Sequence, residues 1–401
     1  MSPDGRRPGQ GPVVILGAAA QQAEAVVAAQ ALSREVHVLA AEFGGPARDA
    51  ADVMVTMDLT DVDGVTDYAA RVGAAAICSV GSDLAMPVVA EVCERLGLPS
   101  LVSRRTAELC HHKHLVRELL VDAPGAVRHA AASRGDDLTL PLPVIVKPAD
   151  AQGQRGLSQV TDAADFSRAL DHALTHSRTG RAIVEEYVPG PEISVNGYLQ
   201  DGRLVFIGVS DRVVWPGEFG LVRGHVHPAR SATAADLEAA VDVLDHACRA
   251  IGLRRGPVYA QMIIGPAGVR LVEVSPRLDG CHLWRLWHAA TGVDLLQAAL
   301  SAACGEPEDA ALAGWGRTLV PVHPLGEEPT TSITFDCLPP GTVMPAPDPP
   351  RADPAVVARM RYYARGSVVR AVNGRLEKVG YTLRRGADVQ AASREREVTI
   401  P

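Results

Sequence analysis

The first hundred residues alternate short apolar runs with stretches of helical period. Positions 13–16 are continuously apolar and stop at Gly17, and an alanine-rich helical stretch follows through Leu32. Further apolar runs at 36–40, 52–57 and 75–79 are separated by helical patterns at 62–72 and 84–96, the last closed by Gly97-Leu98-Pro99. This alternation predicts a parallel sheet with right-handed helical crossovers, whose ligands sit beyond the C-terminal strand ends. Gly17 and Ser79-Val80-Gly81-Ser82-Asp83 lie at such ends. Gly17 opens no dinucleotide fingerprint, because the G-x-G-x-x-G pattern is missing. Asp83 reads either as a helix-capping acid or as a ligand contact.

From residue 106 the rhythm changes. A helix is expected over 106–120, then an α+β segment with a strand at 144–147, a loop at 150–158, a helix at 163–176 and a strand at 182–187. Period-two alternation over 192–209 predicts a hairpin around Gln200-Asp201-Gly202, and 258–264 with 269–274 a second around Gly265-Pro266-Ala267-Gly268. Residues 232–251 form a long amphipathic helical pattern, and 283–303 is again helical. The Pro-rich stretch 325–354 reads as connection. The remainder, 356–401, reads as a small β-rich module with turns at Asn373-Gly374 and Arg385-Gly386.

Composition narrows the functional classes. With 401 residues, 47% of them hydrophobic, the chain has room for two to four structural units. A net charge of −8 spread over mixed signs argues against nucleic acid or a membrane surface as partner. The seven cysteines are widely spaced and form no C-x-x-C, which fits a reducing cytoplasm without structural zinc or a disulfide framework. Residues 1–11 read as a disordered tail, and the apolar run after them is too short to span a membrane.

Lysine is scarce: of 39 basic residues only Lys113, Lys147 and Lys378 are lysine. A chain this rich in arginine keeps lysine where a compact, flexible ammonium is wanted, as against phosphate oxygens at the end of a cleft. Gly-Lys occurs nowhere, so there is no Walker-type loop. Instead an ordered series runs along the chain. Lys113 lies in His112-Lys113-His114-Leu115-Val116-Arg117, and Lys147 ends the apolar strand Val144-Ile145-Val146-Lys147, projecting from a rigid edge. The loop Ala151-Gln152-Gly153-Gln154-Arg155-Gly156-Leu157 has two glycines that free backbone N–H groups for phosphate oxygens. In Glu185-Glu186-Tyr187-Val188 a strand end offers backbone groups to an adenine edge, and Glu192 can bond a ribose hydroxyl. Gln261 and Glu273 lie on paired strands, with Ser275 on the face of Glu273, an oxygen cluster suited to Mg²⁺. Arg277 follows, aimed at the same cleft, where it can stabilise a developing oxyanion.

This ordered set resembles the ATP-grasp superfamily, in particular its carboxylate–amine ligases, over roughly residues 13 to 305. The resemblance implies an α/β and α+β chain: an N-terminal parallel-sheet domain over 12–105, a lid subdomain over 106–190, a larger antiparallel-sheet subdomain over 191–310 and a C-terminal β-rich module over 311–401. It implies ATP with Mg²⁺ or Mn²⁺ as cofactors. Lys113 and Lys147 would contact ATP phosphates, and Gln152, Gly153, Arg155 and Gly156 would belong to a mobile covering loop. Glu185, Glu186, Tyr187 and Val188 would line the adenine site, and Glu192 would hold the ribose. Gln261, Glu273 and Ser275 would hold metal, and Arg277 would bind an acyl phosphate, with Lys147 and Arg155 assisting catalysis. Two positions depart from the family pattern, which usually has an acid at Gln261 and Asn at Ser275.

The implied reaction joins a small carboxylate, an amino acid or related acid, to an amine through an acyl phosphate. A carboxylase or purine-type ligase of the same fold, and an ATP-binding regulatory protein with lost catalysis, are the alternatives. Arg223, Asp279, His282 and Arg285 are candidate substrate readers, each also readable as a solvated charge or helix cap. His225 and His227 alternate on one strand without a third ligand nearby, which does not make a zinc site. The superfamily resemblance adds an expectation of a cytoplasmic homodimer.

Overall fold

A computed structural model describes residues 11–42, 45–151, 155–215, 220–312, 329–346, 353–371 and 376–386. The N-terminal unit runs β1 (Val13–Leu16), α1 (Ala20–Ala31), β2 (Val36–Ala40), β3 (Val53–Thr56), α2 (Val62–Val72), β4 (Ala76–Cys78) and α3 (Met86–Leu96). Its strands form a parallel sheet in the order β3-β2-β1-β4. All four residues of β1 are buried because helices cover both faces, which is why the run is continuously apolar. Asp61 caps α2 through Gly64 N–H, and Gly73 and Gly97 end α2 and α3 in the left-handed conformation.

The helix expected over 106–120 is two helices, α4 (Arg104–His111) and α5 (Lys113–Leu119). His112 is extended at φ −106° and ψ 97°, and the Lys113 N–H donates to the Ala149 carbonyl at 2.9 Å. The break therefore sets Lys113 in the first turn of a new helix, beside the end of a strand. That strand belongs to a small antiparallel sheet ordered β5-β8-β6-β7, built from β5 (His129–Ala132), β6 (Val144–Pro148), β7 (Ser158–Val160) and β8 (Ala182–Glu186). The helix α6 (Phe166–Thr175) packs on it through Phe166, Leu170 and Ala173.

The largest sheet has eight strands. It contains β9 (Glu192–Gln200), β10 (Arg203–Val214) and β11 (Val222–His227), then β12 (Gly256–Gly265) and β13 (Gly268–Ser275), and finally β14 (Thr330–Leu338), β15 (Val356–Arg361) and β16 (Glu377–Gly386). Their order is β13-β12-β9-β10-β11-β14-β16-β15. Among the described residues the C-terminal strands build no sheet of their own; they extend the central one. The Pro-rich stretch expected as connection contains β14, and Arg385-Gly386 is the end of β16 rather than a turn. The Asn373-Gly374 turn lies outside the described residues. The helix expected over 283–303 is also two, α8 (Leu283–Thr291) and α9 (Leu295–Ala303), divided where Gly292 takes φ 82° and Asp294 caps α9.

The central sheet is two-faced. On one face Ile193, Val195, Leu199, Val258, Ala260 and Leu271 pack under Leu244, Ala247, Cys248 and Ile251 of α7 (Ala234–Ile251). On the other stand Glu192, Ser194 and Asn196, with Tyr259, Gln261, Glu273 and Ser275 in register beside them. Helix α8 covers part of this polar face, and it does so over Gly208: a Cβ there would lie 2.7 Å from the Trp287 ring.

One buried carboxylate ties the N-terminal unit to the rest. Glu24 of α1, 5% exposed, accepts from Tyr381 OH at 2.6 Å, Trp284 Nε1 at 2.7 Å and Arg285 Nε at 2.9 Å. His282 Nδ1 lies 3.2 Å away. Burial alone would raise the Glu24 pKa, but His282, Arg285 and Tyr381 outweigh it and hold the carboxyl at about 2. The folded value lies below the unfolded one, so this group stabilises the fold above about pH 4.5 and loses its contribution as pH falls towards 2. Glu24→Gln should cost ~3–5 kcal/mol at neutral pH, where Arg285 and the other donors lose their charged acceptor. The gap between variant and wild type in urea unfolding should narrow between pH 5 and pH 2.5. A gap independent of pH would remove the charge from this account.

Candidate active site

The second buried carboxylate organises the cleft. Glu185, at the end of β8 and 4% exposed, is shared by Lys147 Nζ and Arg117 Nε, both at 2.7 Å. Arg117 also donates to the carbonyls of Leu271 at 2.5 Å and Val272 at 2.7 Å on β13. One residue of α5 thereby joins the small sheet to the edge of the large one. Burial would raise the Glu185 pKa, but the two cations hold it at about 2. Burial lowers the Lys147 pKa, and repulsion from Arg117 and Lys113 adds to this against the attraction of Glu185. Arg117 received no role from the sequence. The available signal was its place four residues after Lys113 on one helix face.

Beyond this pair lies a cavity of about 180 Å³ whose lining includes Asp83, Lys113, Asp150, Arg155, Arg178 and Glu273. Lys113 Nζ donates to the Ala151 carbonyl at 2.6 Å and stands 3.5 Å from Glu273 Oε1. Arg178, His176 and Asp150 were not singled out in the sequence. Asp150 is held by Ser177 Oγ at 2.7 Å and Thr179 N–H at 2.8 Å, which lower its pKa against the opposing effect of burial. Gly156 adopts φ 73°, and a Cβ there would lie 2.8 Å from Pro148 and 2.9 Å from His176. Gln152 and Gly153 lie outside the described residues.

Arg277, 8% exposed, forms a two-pronged pair with Asp83, Nε to Oδ1 at 2.6 Å and Nη2 to Oδ2 at 2.5 Å. The strand-end acid of the N-terminal sheet is thus neither a helix cap nor solvent-facing: it lines the cavity and is bonded to Arg277. Burial opposes its charge, but Arg277, Lys113 and the Ser275 hydroxyl lower its pKa.

The expected metal ligands separate. Gln261 Nε2 donates to Glu192 Oε2 at 2.7 Å, and Ser275, 1% exposed, bears on Asp83. Of these three expected ligands, Glu273 alone lines the cavity. Among the described residues no three His, Cys, Asp or Glu side chains cluster as a metal site. A carboxylate in this cavity still fits Mg²⁺, which takes one or two protein carboxylates together with nucleotide phosphates.

The residues expected at the adenine edge carry structural bonds. Glu186 accepts from Arg128 N–H at 3.0 Å and Nε at 2.7 Å, and Tyr187 N–H donates to the Pro143 carbonyl. Val188 is half-buried beside them. Glu192 is paired with Arg212 as well as Gln261. Of the expected substrate readers, Arg223 lies 5.2 Å from the Trp215 ring centroid. His282 and Arg285 lie against Glu24. Asp279, 1% exposed, accepts from the backbone N–H groups of Cys281 and Leu283, and burial raises its pKa. It shapes the turn between Arg277 and α8.

A parallel N-terminal sheet, a small antiparallel sheet and a large one, with a cation-lined cavity between them, define the class. A family model described as an ATP-grasp domain matches residues 140–283. D-alanine–D-alanine ligase of Gloeobacter violaceus is 31% identical over 222 residues, covering 50% of this chain and 71% of that protein. Carnosine synthase 1 of Gallus gallus is 33% identical over 181 residues, 42% of this chain. An L-amino acid ligase of Bacillus licheniformis superposes with a TM-score of 0.76 at 17% identity, over 96% of this chain and 95% of that one. The chain belongs to the ATP-grasp family. It spans only 19% of the carnosine synthase and 54% of a Sinorhizobium fredii protein that it also matches.

Replacing Glu185 tests the buried triad. Glu185→Ala strands Lys147 and Arg117 without a counter-charge and should cost ~3–5 kcal/mol in chemical unfolding. A loss below ~1 kcal/mol would mean that water reaches these groups and the triad is not buried.

Proposed function

We propose that the protein is an ATP-dependent carboxylate–amine ligase. It converts a small carboxylate, an amino acid or related acid, into an acyl phosphate and passes the acyl group to an amine. The observation that carries this reading is one cavity lined by Lys113, Arg155, Glu273 and Asp83, with Arg277 bonded to the last of these. Family membership supports ATP as the phosphoryl donor.

In this reading the substrate carboxylate oxygen attacks the γ-phosphorus and ADP leaves. The amine nitrogen then attacks the acyl carbon, phosphate leaves, and the nitrogen loses a proton. The charge spreading over the transferred phosphoryl oxygens needs fixed cations. Lys113 and Arg155 line the cavity where such oxygens would sit, and Lys147 lies behind them, its ammonium oriented by Glu185. Arg277 is immobilised by Asp83, so its guanidinium stands ready for the acyl oxyanion at little reorganisation cost. Glu273, with ATP oxygens, would hold Mg²⁺, which supplies charge neutralisation at the phosphates.

A second reading, an ATP-binding protein without turnover, is favoured by the commitment of Gln261 to Glu192. ADP release separates the two. Pairs of amino acids and small carboxylates, screened with mass detection of the product, should include one that releases ADP and forms an amide. ATP binding without release for any pair favours the second reading. Glu273→Gln should lower the rate about 10²–10³-fold and weaken the Mg²⁺ dependence; an unchanged Mg²⁺ titration would remove Glu273 from the metal role.

A further inference from the structure

The third lysine, Lys378, has no part in the nucleotide cavity. It sits on β16, where strand parity would turn it away from the face of Tyr381. The ladder to β14 prevents this. Phe335 pairs with Tyr381 and Asp336 with Gly380, but Cys337 pairs with Lys378, so β16 carries one extra residue at Val379. This bulge returns Lys378 to the polar face, and bulges commonly re-aim a side chain next to a functional site.

On that face the ammonium lies 3.2 Å from Cys281 Sγ and 4.0 Å from the Phe335 ring centroid. Among the described residues it makes no ion pair. A thiol and a ring face are weak partners for a half-buried ammonium. A second observation points to the same place. His225, 0% exposed, has no hydrogen-bond partner for either ring nitrogen. Burial, with Arg212 and Lys378 nearby, pushes its pKa well below the usual value, so it is a neutral imidazole with one donor to offer. Arg212, opposite His225 across the ladder, is already paired with Glu192. Acids also stand nearby, Asp279 at Cys281 and Asp336 and Glu377 around Cys337, yet among the described residues none pairs with the Lys378 ammonium.

We infer that Lys378 and His225 take a carboxylate of the small-molecule substrate that is not consumed in the reaction. The assignment rests on the ligase reading only for the word substrate. Cys281 is four residues beyond Arg277, at most about 14 Å of chain. The carboxylate has two sources: the acceptor, if the amine is an amino acid, or the activated acid, if it is a dicarboxylate.

The test is a binding measurement on the full chain, independent of turnover. Thermal melting is followed with each standard L-amino acid against its α-carboxamide, and with succinate and glutarate against their monoamides. Stabilisation by an amino acid and not its amide assigns the site to the acceptor; stabilisation by a dicarboxylate and not its monoamide assigns it to the acid. In either case Lys378→Met should weaken the Kd about 10–100-fold and abolish the preference for carboxylate over amide, while Lys378→Arg retains it. ATP affinity should not move. The inference is overturned if no carboxylate outperforms its amide, or if Lys378→Met binds as wild type does. Carboxylate binding that persists where no pair releases ADP would leave this site standing and sink the ligase reading alone.

Discussion

A carboxylate buried between two cations governs the geometry of this molecule. Glu185 is buried, so its charge is tolerable only while Lys147 and Arg117 remain on it. Each partner comes from a different element. Lys147 ends β6, and Arg117 rises from α5 and reaches the carbonyls of β13. The triad therefore holds three elements at one spacing, and the cavity lies against that junction. A break in the preceding helix at His112 lets α5 start where Lys113 and Arg117 both face inward. Local backbone, buried charge and site position are one constraint.

The N-terminal sheet enters the same arrangement through two further acids. Glu24 collects donors from α8 and β16, and Asp83 takes the whole guanidinium edge of Arg277. Both contacts reach across more than 190 residues of sequence. Buried pairs of this kind add little net stability compared with apolar packing, but their removal is costly and their geometry is strict. They suit a site that needs an arginine and a lysine at set positions on different units.

Much of this order was legible in the chain. Parallel alternation before residue 105 and the hairpins around Asp201 and Gly265 follow from period and turn chemistry, which are local properties. The lysine count and the order of motifs pointed to the cleft. What stayed hidden depends on partners far away in sequence. His282 and Arg285 read as substrate contacts because a dense polar helix start looks the same whether it meets a ligand or a buried Glu24. Gln261 read as a metal ligand because its strand position is right, yet Glu192 on the neighbouring strand takes its amide. The helix breaks at His112 and Gly292 fell inside continuous apolar periodicity, which registers burial and not hydrogen bonding. β14 lay in a Pro-rich stretch, and its strand character comes from pairing with β11 and β16.

The division of labour between the two basic residue types follows from their chemistry. Arg117, Arg212, Arg277 and Arg285 each hold a buried or half-buried acid, and three of the four also bond backbone carbonyls. A planar fork with five donors suits such fixed, multidentate work. An ammonium on a flexible stem gives up less geometry and can meet a ligand whose position changes during a reaction. Lys113 spends one contact on a carbonyl and leans on the exposed side of Glu273, and Lys378 has a thiol and a ring face. Lys147, locked on Glu185, is the exception, and the lock explains it: burial disfavours its ammonium, and the acid beside it favours the charged form.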